Sequence, residues 1–466
     1  PPFSQPLTAM KRTTTATTTT TTTTTKRLRS SSISTSIVVL KYSDLIQHKN
    51  LSAEIEKAFG KDGLGILSVS GIPDIAAKRQ ALLPLAPLFA NMPSATKAKY
   101  EHPESFWSFG WSHGKEKLQG RPDFAKGSYY NNPCYNAPFG NDLSAPAIKE
   151  YMSFAHPNIW PTDDLPQLEH AFMDLGKTMC SVGQLVAQQC DTFVSSKSSK
   201  YETGKLARVL GESKVTKARL LHYFPKEEEK KARANSIGSD PGSSNNSSNN
   251  NSSNSNSSTS TQPEFRGRSG SFSGKSTNAA VDAVLAANAK TAQEPTDDEF
   301  SNWCGWHNDH GSLTALCPAM YFQHQDNGSV VQLEKSPDPT AGLYIRARDG
   351  SLHHVKAPST SHLLFQIGET SQIHSGGILQ ATPHAVKGVS VPNVCRSTFA
   401  CFMEPGWAER MDAPADRTPE AAQSSTAELA LPKGVSPLKA RWGSKQCPFT
   451  TCNFGAFTSA TLGALH

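Results

Sequence analysis

The segment Trp306-His307-Asn308-Asp309-His310-Gly311-Ser312-Leu313 sets an imidazole and a carboxylate two residues apart, just ahead of an apolar, β-prone run. On a strand, residues i and i+2 point to the same face. His307 and Asp309 are therefore expected to project together, with Trp306, Asn308 and His310 turned away. Imidazole plus carboxylate suits a divalent first-row metal. One more histidine would complete the two-histidine, one-carboxylate facial triad, which leaves positions open on iron. His-x-Asp is also an ordinary surface pattern, so the reading depends on a third ligand from later in the chain.

The later histidines are His353, His354, His362, His374 and His384. Of these, His384 lies a hairpin's length before Arg396, in "PHAVKGVSVPNVCRSTF". On the strand expected there, Arg396, Thr398, Ala400 and Phe402 share one face. An arginine turned into a core needs an anionic partner, because an unpaired buried charge is very costly. A guanidinium with a hydroxyl two residues on is a good clamp for a carboxylate. Taken alone, Arg396 reads as half of a structural ion pair; alongside His307, Asp309 and His384 it reads as part of a site.

Those residues need strands to carry them. "ARLLHYF" (218–224), Leu343–Arg348 with a turn at Asp349-Gly350, Leu363–Ile367 and Arg396–Met403 are short β-prone runs with turn signals between them. Strands this short and regular suggest a β-barrel or jelly roll. Ahead of them the texture is helical. Leu51–Gly60, Ala76–Ala90 and Leu165 to about Val194 carry apolar residues at helical spacing, beside strand-like runs at Ile37–Leu40 and Gly63–Val69. Residues 100–148, rich in aromatics, glycine and proline, read as irregular loop.

Composition divides the 466 residues further. Residues 1–35 are dominated by threonine and serine, and about 227–298 form a second biased stretch whose centre is nearly all serine and asparagine. Such segments have little apolar surface to bury. The net charge is +6, but six basic residues and no acidic ones precede Asp44, leaving 40 basic against 40 acidic residues in the remainder. A near-neutral body gives no footprint for nucleic acid. The acid-free, Ser/Thr-rich tail suits an organelle transit peptide or a plain low-complexity extension. No run approaches the ~18–20 apolar residues of a membrane span. Nine scattered cysteines without a CxxC fit free thiols in a reducing compartment. "GSFSGKS" (270–276) is one residue short of a phosphate-binding loop between its glycines and follows no strand, so it carries no nucleotide reading.

Taken together, "GWHNDHGSLTAL", "GLYIRARDGSLHHV", "LLFQIGETSQIHSGG", "TPHAV" and Arg396-Ser397-Thr398 resemble, in order, motifs of the iron(II)- and 2-oxoglutarate-dependent dioxygenases, in the branch similar to isopenicillin N synthase. "GLGILSVSGIPD" (63–74) is similar to that family's N-terminal module. The resemblance implies a mainly β chain with flanking helices: a double-stranded β-helix (jelly roll) core preceded by a helix-rich N-terminal module. It sets residues 36–215 as that module and 216–405 as the jelly roll, interrupted at about 227–298. Residues 1–35 form a tail and 406–466 a C-terminal extension. It implies Fe(II) held by His307, Asp309 and His384, and 2-oxoglutarate held at its far carboxylate by Arg396 and Thr398. O2 and a small organic substrate would complete the reaction, a C–H oxidation such as hydroxylation or desaturation with release of succinate and CO2. Neither nucleic acid nor membrane is expected as a partner, and the setting is expected to be intracellular, cytoplasmic or organellar.

Three departures from the family are visible. Phe224 in "HYFP" stands where a tyrosine often helps bind 2-oxoglutarate. The stretch from His384 to Arg396 is slightly long, and an insertion precedes the metal strand. Two alternatives stay open at this point: a 2-oxoglutarate-independent oxidase like isopenicillin N synthase, with Arg396 clamping the substrate's own carboxylate, and a non-catalytic metal- or ligand-binding relative.

Overall fold

A computed structural model of the chain describes residues 33–115, 117–118, 121–226, 303–325, 329–423 and 435–465. Almost all of the Ser/Thr-rich tail and all of the Ser/Asn-rich insertion lie outside the described residues, as does "GSFSGKS".

Seventeen strands are described. In chain order they are β1 (Ile33–Thr35), β2 (Val38–Lys41), β3 (Ile66–Ser70), β4 (Gly110–His113), β5 (Lys117–Leu118), β6 (Arg121–Pro122), β7 (Lys126–Asn131) and β8 (Lys217–Tyr223). Beyond the insertion follow β9 (Cys304–His307), β10 (Leu313–Leu316), β11 (Met320–His324), β12 (Val330–Leu333), β13 (Gly342–Arg346), β14 (Leu352–Val355), β15 (Leu363–Ile367), β16 (His384–Lys387) and β17 (Val394–Met403). They form a large sheet ordered β2-β3-β15-β10-β17-β8-β7-β4, with β11 and β12 on its flank, and a five-stranded sheet ordered β1-β14-β13-β16-β9.

Alternation along β17 shows how the layers divide. Cys395, Phe399, Cys401 and Met403 join the core that the large sheet shares with the helices. Val394, Ala400 and Phe402 belong instead to a cluster with Val386 and Ala341, which packs the large sheet against the small one. Ile66 and Leu364 of the large sheet meet Ile345 and Val355 of the small one in the same way. The helix Gln167–Lys197 buries Phe172, Leu175, Met179, Val182 and Val186 on the outer face of the large sheet. The order is helices, large sheet, small sheet.

The architecture is therefore mixed rather than mainly β, and three further expectations are corrected. The single helix expected over 76–90 is two, Ile75–Leu82 and Leu85–Ala90; Pro84 has no N–H to continue the ladder. The stretch read as irregular loop supplies β4 and β7, both in the large sheet, with Trp111 and Tyr129 buried. Finally, not all thiols are free: Cys447 and Cys452, whose Cα atoms lie 4.7 Å apart, form a disulfide in the C-terminal extension. That extension has its own apolar cluster, with Trp442, Phe454 and Phe457 packed on Ile373 and Met411.

Candidate active site

β9 and β16 are neighbours in the small sheet, and their register sets His307 directly across from His384. β9 ends at His307, so Asp309 lies in the loop that crosses to β10 and not on the strand itself. The expected same-face geometry is thus replaced by a turn of the loop. The Asp309 carbonyl accepts from the Glu369 N–H at 2.9 Å. Even so, the three side chains converge. Asp309 Oδ1 lies 3.8 Å from His307 Nε2 and 3.8 Å from His384 Nε2, and the ligand atoms of all three lie within 4.8 Å of one another. Among the described residues this is the one group of three or more potential metal ligands.

Each histidine uses its other nitrogen for support. His307 Nδ1 contacts the Gly305 carbonyl at 2.8 Å, and His384 Nδ1 contacts the Gln366 amide at 2.5 Å. With Nδ1 engaged, Nε2 is the ligand atom on both rings. Burial and the neighbouring His307 push His384 down to about 4, so it is a neutral donor at pH 7. Burial pushes Asp309 up, but His384, His307 and a hydrogen bond from Thr314 outweigh it and hold the carboxyl below the usual range. Burial lowers His307, but the neighbouring Cys304 and Asp309 outweigh it and raise it to about 9, so a metal taking that nitrogen would displace a proton; neutral imidazole plus ionised carboxylate is the donor set a divalent first-row metal takes. His310 is turned away, stacked on Phe454 at 5.9 Å, and Trp306 packs with Tyr344, Leu352 and Ala385 on the other face of the small sheet.

The other expected site residues lie on β17. Arg396 is buried, its guanidinium 4.9 Å from the ring centre of Tyr223 and 5.9 Å from that of Trp303. Its Nε and Nη1 are buried and meet no hydrogen-bond acceptor among the described residues. A buried guanidinium with two unused donors is a seat for an anion. Thr398 is also buried, and its Oγ1 donates to the Cys317 carbonyl at 2.8 Å. Phe224 packs against His113 and His222, each under 5 Å ring to ring, so Tyr223 is the aromatic that reaches Arg396.

Residues the sequence did not single out complete the surroundings. Gln366 backs His384, and Tyr223 and Trp303 wall Arg396. Glu404, on the Arg396 face of β17 and continuing past its end, is buried with Oε1 3.6 Å from His310 Nε2. Burial raises the Glu404 carboxyl to about 8, against the pull of Lys217. The i+2 alternation from Arg396 was the one signal that could have found Glu404.

Residues 36–163 match the family described as the non-haem dioxygenase in morphine synthesis N-terminal domain. No curated protein matches the chain. A 2OG-Fe(II) oxygenase family protein from Caulobacter crescentus is similar in structure, with TM-score 0.55 and 16% identity over 93% of this chain and 100% of that one. A full-length Neurospora crassa protein, solved in complex with α-ketoglutarate, is similar at TM-score 0.51 and 16% identity, over 92% of this chain and 96% of that one. At that identity the likeness is one of fold, the jelly roll of the 2OG-Fe(II) oxygenases. The chain thus carries the N-terminal domain match over residues 36–163 and shares the fold of these proteins. Among the described residues no helix is long and apolar enough to cross a membrane.

Proposed function

We propose that the protein is an Fe(II)- and 2-oxoglutarate-dependent dioxygenase that oxidises a C–H bond of a small organic molecule. In the balanced reaction, 2-oxoglutarate, O2 and R–H give succinate, CO2 and R–OH; desaturation would release water in place of the added hydroxyl. The observation that carries the reading is the pairing of the His307/Asp309/His384 cluster with the buried guanidinium of Arg396, whose Nε and Nη1 meet no acceptor among the described residues.

When bound, the iron supplies the activation of O2. The chain's own residues do the rest. His307 and His384 present Nε2, and Asp309 presents an ionised carboxylate. Arg396 offers buried N–H donors to the far carboxylate of the co-substrate, where burial strengthens the pairing. The Tyr223 and Trp303 rings, 4.9 and 5.9 Å from the guanidinium carbon, restrain its position. Thr398, beside it, joins the clamp by exchanging its bond to the Cys317 carbonyl for one to the incoming carboxylate.

The test is anaerobic titration of the iron(II)-loaded protein with 2-oxoglutarate, watching for the weak visible band of bidentate chelation. The expected result is a saturable band in the wild type that is lost or much weakened in Arg396→Ala. A protein shown to hold iron but giving no band would overturn the co-substrate assignment.

A further inference from the structure

The loop that carries Asp309 is held from outside the jelly roll. Immediately after β15, Gly368 begins the short helix Glu369–His374. That corner is bonded to the loop through three backbone N–H groups and the Thr370 hydroxyl. Glu369 N–H donates to Asp309 O at 2.9 Å, Gly368 N–H to Ser312 O at 3.0 Å, Thr370 N–H to Gly311 O at 3.2 Å, and Thr370 Oγ1 to His310 O at 2.6 Å. A Cβ on Gly368 would run into the Gly311 carbonyl, so only glycine permits the approach.

The side chain of Glu369 extends the contact in two directions. Inward, Asn308 Nδ2, between the two candidate ligands of the loop, donates to Glu369 Oε1 at 3.0 Å. Outward, Arg441 Nη2 donates to Oε1 and Nη1 to Oε2, each at 2.6 Å. The two charged side chains are only 5% and 2% exposed, so this is a desolvated, two-pronged pair. Arg441 belongs to the C-terminal extension, and the apolar cluster of Trp442, Phe454 and Phe457 packs around the same short helix through Ile373.

A buried ion pair is weak evidence for stability in itself, since apolar residues of similar volume often do as well. What it supplies is direction, because a bidentate pair fixes the carboxylate plane as well as its position. We infer that Arg441 is a positioning residue for the metal centre. Through Glu369 and Asn308 the C-terminal extension sets the loop that presents Asp309, and the affinity of the triad for metal depends on it. This rests on the reading above that His307, Asp309 and His384 hold a metal.

The experiment is titration of the full-length protein with Co(II) alone, with the unfolding temperature of each apo protein measured alongside. Outer residues that orient ligands typically alter metal affinity about 10–100-fold. The dissociation constant is therefore expected to rise about 10-fold or more in Arg441→Met and in Asn308→Ala. Arg441→Lys, which keeps the charge but not the fork, is expected to lie between Arg441→Met and the wild type. The double variant should be no weaker than the weaker single one, because both act along one connection. A brace that only holds the fold together would lower the unfolding temperature of Arg441→Met and leave the dissociation constant at the wild-type value, and that result would overturn the inference. Should Arg441→Met not fold, Asn308→Ala decides, since it leaves the buried pair intact; wild-type affinity there also overturns it. A wild-type protein that takes up no Co(II) would instead sink the metal reading itself, and this inference with it.

Discussion

The amide of Gln366, on β15 in the large sheet, touches Nδ1 of His384, on β16 in the small one, at 2.5 Å. The contact crosses the interior and fixes the ring. An amide can be turned by half a rotation, and Gln366 Oε1 has no other partner. With the oxygen toward Nδ1, the ring donates its N–H there and keeps its Nε2 lone pair facing Asp309. Gln366→Leu removes that partner while keeping the volume. It is expected to weaken metal binding roughly 10-fold, read by competition with a coloured chelator. Unchanged affinity would show that the amide only fills space.

The two β17 residues should separate in a 2-oxoglutarate titration. Removing one partner of a buried, hydrogen-bonded charge pair costs about 2–5 kcal/mol, so Arg396→Met is expected to weaken binding by roughly 30-fold or more. The Thr398 hydroxyl already serves the Cys317 carbonyl. A neutral hydrogen bond is worth about 1 kcal/mol, which puts Thr398→Val within roughly 10-fold of the wild type. Equal losses in the two variants would make Thr398 a full member of the clamp.

Metal should stabilise the fold through the triad. A ligand that binds only the folded chain adds about 2.7 kcal/mol at 100 times its dissociation constant. Differential scanning with and without Fe(II) or Co(II) is expected to show a rise in unfolding temperature for the wild type. His307→Ala should show none, and a chelator should reverse the wild-type shift.

Acid should unfold the protein earlier than its carboxylates alone would require. His222 and His374 are buried, and burial pushes each down to about 3. The unfolded chain takes up protons near 6.5 at these positions, so between those values it binds more protons than the folded state. The stability they contribute is present above pH 6.5 and is lost as the pH falls toward 3. At pH 5 this amounts to roughly 2 kcal/mol per histidine. His374→Phe is expected to flatten the decline in urea midpoint between pH 7 and 5; an unaltered slope would remove His374 from the account.

Much of the site was legible because it rests on strands whose period is two. Arg396, Thr398 and Phe402 face inward by simple alternation, and β17 carries Glu404 onto the same face. His307 and Asp309 were found through the same rule, although β9 stops at His307 and a loop completes the geometry. The missing parts depend on contacts between distant segments. β4 and β7 were hidden because glycines and aromatics blur the alternation around Trp111 and Tyr129, which are buried by pairing with β8 or packing on Phe89. The Glu369–Arg441 pair spans 72 residues, and no local pattern marks either end. Pro84, by contrast, was visible in the sequence and should have divided the helix expected there.

Tyr223 and Trp303 close the description from another side. Their rings lie 5.0 Å apart, yet one is the last residue of β8 and the other stands just ahead of β9, with the long Ser/Asn-rich segment between them in sequence. Each is held by strand ladders, β8 by those to β7 and β17, and β9 by that to β16. A chain nicked between Lys226 and Trp303 is therefore expected to stay together as a two-piece protein through the ladders of β8 to β17 and the contact of Tyr223 with Trp303, which co-elution of the two pieces on a sizing column checks.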